Sequence, residues 1–174
     1  MATISVIVPT YDAAPYLRES LDSLLVQSTP EVEVLVVDDG STDDTPAILA
    51  SYGDRLRVIR GSHEGYPVAR NLGVTHATGE WIAFHDADDV ALPDRLAFQR
   101  DFVGRHPGCD AVFCNGERMD TGAALVPAPI AGRAVGRRLG PADVFEGFPV
   151  YFQAALVRRS AFATVGPFDR DLPI

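Results

Sequence analysis

The chain has 174 residues, 47% hydrophobic and 22% charged, a balance that fits one globular domain with a sizeable core. Acidic residues number 24 against 15 basic ones, and the net charge of −9 argues against a general DNA or RNA binder, which needs a basic face to release phosphate counterions. All the basic residues are arginine, which excludes P-loop lysine, Schiff-base lysine and lysine general-base chemistry.

Ile4 to Val8 is an apolar run closed by Pro9-Thr10 and predicts a buried parallel strand. Pro15 stands where a first helical turn tolerates it, with Asp12 upstream as a cap. Leu17, Leu21, Leu24 and Leu25 then place one apolar face on a helix over 15–28. Val32 to Val37 predicts a second strand, ending in the polar turn Asp38-Asp39-Gly40-Ser41-Thr42-Asp43. Thr42 or Asp43 can cap the next helix, with Pro46 in its first turn. Leu56 to Ile59 reads as a third strand and Pro67 to His76 as a third helix.

Trp81 to Phe84 reads as a fourth strand running into His85-Asp86-Ala87-Asp88-Asp89. Pro93 opens a helix through Arg105, and Ala111 to Cys114 is a fifth strand. Strand–helix alternation at this spacing predicts an α/β fold: an open, mostly parallel sheet with helices on both faces. Past residue 115 the rhythm breaks, and 116–140 predicts a loop or hairpin. Val150 to Val157 reads as a further strand and Arg159 to Val165 as a short helix. Cys109 and Cys114 are too few for a disulfide framework or zinc site and are expected as buried free thiols. No apolar run reaches the ~18–20 residues of a membrane span. Met1-Ala2-Thr3 lacks the features of a signal peptide, so a cytoplasmic protein is expected.

In an open α/β sheet, ligands bind beyond the carboxyl ends of the strands. Three polar turns fall there: Pro9-Thr10-Tyr11-Asp12, Asp38-Asp39-Gly40-Ser41 and Asp86-Ala87-Asp88-Asp89. Carboxylates crowded on one rim repel one another, so a cation or hydrogen-bond donors are expected to offset them. An isolated Asp86-x-Asp88 is most simply a solvated helix cap. With two more such turns on the same rim, it reads instead as a Mg²⁺ or Mn²⁺ site completed by substrate phosphates. Asp39 can accept from a base or ribose edge, although its turn serves equally as a tight turn with a helix cap. Tyr11 can stack on a base or simply pack. Arg70 can reach a diphosphate or pair with a rim carboxylate, with phosphate placed first. His63 and His85 have no ligand-like spacing and are expected to be structural. The dinucleotide, P-loop and nucleophile-elbow motifs are absent.

Four linked segments carry a resemblance: Ile4 through Asp12, Val36 through Asp43, Ala69 through Gly73 and Gly79 through Asp89. In order and spacing they resemble the family-2 glycosyltransferases of GT-A fold across about residues 3–105, with weaker likeness to the end. The resemblance implies an inverting transferase that moves a sugar from a nucleotide-diphosphate sugar, UDP or dTDP favoured, to a hydroxyl acceptor. The acceptor is a glycan, a lipid-linked sugar or a protein. Pro9, Thr10, Tyr11, Asp12, Asp39, Arg70, Asp86 and Ala87 would line the nucleotide. Asp88, with Asp86, would hold Mg²⁺ or Mn²⁺ as the family's DXD pair. Asp12 stands where the family often has Asn. Residues 1–115 would form the donor-binding part and 116–174 the start of the acceptor side, within one structural domain.

Val165-Gly166-Pro167-Phe168-Asp169 resembles the family's Gly-Gly-Phe-Asp element, with proline for the second glycine. The acidic motif that supplies the general base follows that element in the family, so the base is expected beyond Ile174 and neither Asp169 nor Asp171 is its candidate. The resemblance further implies polysaccharide assembly and a position at the membrane periphery. The competing reading is a non-catalytic nucleotide-binding module on the same fold. A sugar nucleotidyltransferase would want a Gly-rich basic loop after the first strand, and an aspartyl-phosphate phosphatase would carry its Asp-x-Asp there. Neither pattern is present.

Overall fold

The computed structural model describes residues 3–29, 31–119, 125–129 and 151–171. Strands β1 (Ile4–Thr10), β2 (Val32–Asp38), β3 (Arg57–Arg60), β4 (Trp81–Phe84), β5 (Ala111–Phe113) and β8 (Ala155–Arg158) form one sheet in the order β3-β2-β1-β4-β8-β5. The contacts among β1 to β4 are parallel, as expected of strands separated by helices. β8 runs antiparallel to both β4 and β5, so the sheet is mixed on that side. The strand expected over Val150 to Val157 begins only at Ala155, because Phe152–Ala154 form a 3-10 turn. β6 (Glu117–Met119) and β7 (Leu125–Pro129) pair antiparallel as the expected hairpin, and the rest of the 116–140 segment lies outside the described residues.

Strand alternation divides the core in two. Ile4, Val6, Val8, Val34, Val36, Trp81 and Ala83 face one side, where Leu17, Leu21 and Leu24 of α1 (Ala14–Leu25) pack. Ile48 and Leu49 of α2 (Thr45–Ala50) join them there, with Leu96 and Val103 of α4 (Arg95–Arg105). Ile7, Leu35, Val37, Ile82 and Phe84 face the other side, against Ala69 of α3 (Tyr66–His76) and Phe162 of α5 (Arg159–Val165). α3 lies tight on the sheet at Gly73, where a Cβ would run into the Ile7 side chain.

Four local expectations are corrected. Asp12 does not cap α1, whose N-cap is Ala13 with no side-chain hydrogen bond. The Asp12 carboxylate turns away to the β2 side and accepts from the Thr42 and Asp43 N–H groups at 2.7 and 3.2 Å. α1 ends at Leu25 rather than at residue 28, since Gln27 and Ser28 bond to the segment before α4 through Leu92 and Pro93 carbonyls. Cys109 and Cys114 are free thiols, but half-buried rather than buried. Neither Thr42 nor Asp43 is the N-cap of α2, which is Asp44 with no side-chain cap bond, but the Asp43 carboxylate takes the Thr45 N–H at 2.8 Å and the Ala14 N–H at 3.1 Å, serving the starts of α2 and α1 together.

Candidate functional site

Parallel pairing in register brings the three polar turns together. Thr10 pairs with Asp38 at the ends of β1 and β2, and Ile7 pairs with Phe84 at the end of β4. The Asp39 N–H donates to the Thr10 carbonyl at 2.8 Å, and the His85 N–H to the Ile7 carbonyl at 3.1 Å. Asp12 and Ser41 then staple the first turn to the second: the Asp12 N–H donates to Ser41 Oγ at 3.0 Å. Asp12 itself sits at φ +46°, a left-handed conformation that Asp tolerates better than most residues.

Asp39 is buried, and both its oxygens are engaged. Oδ1 accepts from the Glu64 N–H at 3.1 Å and Oδ2 from the Gly65 N–H at 2.8 Å. It thereby hangs the loop between β3 and α3 on the end of β2. A carboxylate has about four acceptor positions, so two remain for an incoming donor. Asp38 closes its own turn by accepting from the Ser41 N–H at 3.0 Å.

The loop held by Asp39 brings His63 to Tyr11. The rings lie 4.4 Å apart between centroids, inclined by 34°. His63 has φ +58° and sits over Gly40, where a Cβ would come within 3.3 Å of the His63 Cβ. Tyr11 stays about half exposed, and the adjacent Asp12 carboxylate pushes its phenol pKa up.

The turn after β4 is shaped from below. His85 is fully buried; its Nδ1 lies 3.1 Å from an Arg95 guanidinium nitrogen and its Nε2 3.1 Å from both Ser20 Oγ and the Asp89 carbonyl. Arginine can only donate, so Nδ1 accepts, and Nε2–H points at the Asp89 carbonyl. Burial, and then Arg95, push the imidazole down to about 3, which keeps it neutral. Arg95 also donates to the Phe84 carbonyl at 2.8 Å and the Gln153 carbonyl at 2.7 Å, tying the turn to the segment before β8. Ala87 is buried in the core, which leaves Asp86 and Asp88 on either side of it. Asp88 is exposed and Asp86 half-buried. Burial, followed by the Asp89 and Asp88 carboxylates, pushes Asp86 up to about 7.

Arg70 lies beneath this turn. Its guanidinium is 3.6 Å from Asp86 Oδ1, which also accepts from the Tyr66 hydroxyl. This contact is the rim-carboxylate pairing that the sequence allows for Arg70. Pro9 is a buried strand residue paired with Val37, so it supports the rim through the backbone. Thr10 is buried too, its hydroxyl directed to the Val8 carbonyl at 3.3 Å.

The structure therefore brings Thr10, Tyr11, Asp12 and Asp39 together at one end of the rim. Arg70, Asp86 and Asp88 gather at the other. Sequence reasoning gave no rim role to His63, Tyr66 or Arg95. The signal for the first two was positional: the loop after β3 and the start of α3 open onto the same edge as the other strand ends.

Asp86 and Asp88 suit a hard divalent cation. Two carboxylates two residues apart on one turn offer oxygen ligands, and a cation would offset both the burial and the neighbouring Asp89 and Asp88 charges that raise Asp86. Among the described residues no cluster of three His, Cys, Asp or Glu forms a cage. A partial shell of this kind fits Mg²⁺ or Mn²⁺, which keep positions for water and phosphate oxygens. Among those residues no helix is long and apolar enough to cross a membrane.

Comparison with known proteins agrees with this fold. The family model described as Glycosyl transferase family 2 matches residues 5–165. A PGL/p-HBAD biosynthesis glycosyltransferase of Mycobacterium tuberculosis is 33% identical over 170 residues, covering 95% of this chain and 62% of that protein. An uncharacterised glycosyltransferase of Rickettsia prowazekii is 34% identical over 118 residues, 67% of this chain and 37% of its own. Among solved structures, S. aureus TarS 1-349 in complex with UDP superposes with a TM-score of 0.75 at 27% identity, covering 98% of this chain and 51% of TarS. The mannosyltransferase PcManGT of Pyrobaculum calidifontis, in complex with GDP-Man and Mn²⁺, gives 0.74 at 27% identity, covering 98% and 48%. The chain thus spans between about a third and two thirds of the length of these relatives.

Proposed function

The chain belongs to glycosyl transferase family 2, and from that premise we propose that it binds the nucleotide-diphosphate sugar of an inverting glycosyltransferase. The observation that carries the reading is the convergence of the Tyr11, Asp39 and Asp86-x-Asp88 turns on one carboxyl edge of the sheet. The base stacks on Tyr11, and a free acceptor position of Asp39 takes its N–H. An N–H facing a carboxylate suits uracil or thymine, so UDP or dTDP is the favoured carrier. UDP in TarS and GDP-Man with Mn²⁺ in PcManGT support a nucleotide diphosphate as the ligand.

Asp88 and Asp86 are the carboxylates assigned to Mg²⁺ or Mn²⁺, with Arg70 as the nearby permanent cation. The ion, when bound, supplies Lewis-acid stabilisation of the departing diphosphate. The acceptor hydroxyl, of a glycan, a lipid-linked sugar or a protein, attacks the anomeric carbon from the face opposite the diphosphate. The new C–O bond forms as the bond to phosphate breaks, and the hydroxyl proton passes to a general base. We assign that base to chain following the Gly166-Pro167-Phe168-Asp169 element, not to Asp169 or Asp171. Residues 1–115 hold the donor, and 116–174 begin the acceptor side.

Titration calorimetry with UDP, dTDP and GDP in the presence of Mn²⁺ tests the reading. Binding of UDP or dTDP that weakens on chelation of the metal is expected. No binding of any of the three overturns it.

A further inference from the structure

Arg70 has few polar contacts and many aromatic ones. Its side chain is 13% exposed. Its guanidinium carbon lies 4.3 Å from the Tyr66 ring centroid, 5.4 Å from Phe152 and 5.7 Å from both Phe84 and Phe168. Its Nε is buried and has no hydrogen-bond partner among the described residues. The 3.6 Å separation from Asp86 Oδ1 exceeds ordinary hydrogen-bond length. The rings, more than a direct bond, therefore hold the guanidinium opposite the carboxylate.

One wall of that cage comes from far along the chain. Phe168 follows α5, and its backbone is clamped to α3 by a reciprocal pair: Asn71 Nδ2 donates to the Phe168 carbonyl and Asn71 Oδ1 accepts from the Phe168 N–H, both at 2.8 Å. The Phe168 ring then meets Phe84 and Phe152 edge-on, with centroids 5.6 and 5.2 Å away. Removing that wall frees the guanidinium to swing out of contact with the half-buried Asp86 carboxylate.

We propose that Phe168 and Asn71 are positioning residues, which dock the segment after α5 onto α3 and so hold Arg70 against the Asp86 end of the rim. The functional consequence rests on the donor-site reading above; the mechanical coupling does not. It links the acceptor side of the chain to a carboxylate assigned to the metal.

The experiment compares wild type with Phe168→Ala, Phe168→Tyr and Asn71→Leu in two measurements. The first is amide hydrogen exchange of the Asp86–Asp89 turn in the nucleotide-free chain. The second is UDP affinity with Mn²⁺ and with EDTA. Faster exchange in that turn is expected for F168A and N71L, with a loss of about tenfold in the Mn²⁺-dependent affinity and none in EDTA. F168Y, which keeps the ring, restores both. Unchanged exchange in the turn overturns the coupling, as does exchange that rises equally throughout the protein. Should F168A fail to fold, Phe168→Leu fills the space without a ring and reads the same contrast. A wild-type chain that binds no UDP removes the donor reading alone, because the exchange contrast still decides the coupling.

Discussion

Tyr11 and His63 pack ring on ring at the edge of the sheet, 4.4 Å between centroids, although 52 positions separate them in the chain. The contact depends on Asp39, whose carboxylate holds the Glu64 and Gly65 N–H groups next to His63. It leaves Tyr11 partly open above the rim, where a base can lie on it. Tyr11→Ala is therefore expected to weaken UDP binding by about tenfold or more, in the range of base–aromatic stacking. His63→Ala, which removes only the support behind the ring, is expected to cost less, and His63→Phe less still. Calorimetric titration of the three variants decides the order; equal losses for Y11A and H63F would refute it.

The convergence of these turns on one rim was legible because its elements are local. Apolar runs such as Ile4–Val8 and Trp81–Phe84 declare strands, and an acidic turn directly after a strand must lie on the carboxyl edge. What escaped was decided by contacts distant in sequence. Asp12 has the chemistry of a helix cap, yet it bonds across to Thr42 and Asp43, because β1 and β2 run side by side and end together. His63 is an unremarkable loop histidine until Asp39 folds its loop onto the rim. The antiparallel insertion of β8 between β4 and β5 was equally hidden, since a short apolar strand does not encode its direction.

Gly73 gives a stability prediction whose sign is opposite to the usual one. Replacing a helical glycine with alanine normally stabilises by up to about 1 kcal/mol. Here a Cβ would collide with the Ile7 Cγ2 methyl and lie 3.1 Å from its Cδ1. Ile7 is fully buried and β-branched, so it has little freedom to move. Gly73→Ala is expected to destabilise by about 1–3 kcal/mol through overpacking. Denaturant unfolding measures it, and a stabilised variant would show that α3 does not press on β1.

Glu33 carries the pH dependence that can be worked out without the rim. Burial pushes its carboxyl up, but hydrogen bonds from Ser5 and from the Thr78 N–H and hydroxyl, with Arg57 at 3.8 Å, hold it below its ordinary 4.5. A depressed folded-state pKa stabilises above the unfolded value and loses that contribution as pH falls through the folded value. Glu33→Gln is therefore expected to cost about 1–2 kcal/mol at pH 7, within the range for hydrogen bonds to a charged group. The gap between wild type and variant should close as pH drops below about 4.5, the ordinary value. Urea unfolding at several pH values checks this, and a gap independent of pH counts against the charge.

Asp88 and Asp39 are both rim carboxylates, but their surroundings predict opposite behaviour on neutralisation. Asp88 is exposed and makes no side-chain hydrogen bond or ion pair among the described residues, so Asp88→Asn should leave stability unchanged within about 0.5 kcal/mol. If it ligates the ion, the variant loses the Mn²⁺-dependent part of UDP affinity and keeps the affinity measured in EDTA. Asp39 is buried with backbone N–H groups on both oxygens. In Asp39→Asn one of those acceptors becomes an NH₂ facing an N–H, which should destabilise by about 1–3 kcal/mol and weaken UDP with or without metal. Thermal unfolding and paired titrations in Mn²⁺ and EDTA separate the two. Loss of metal-free affinity in D88N would move Asp88 from the ion to the nucleotide. Unchanged metal dependence in D88N would remove it from the ion's ligands.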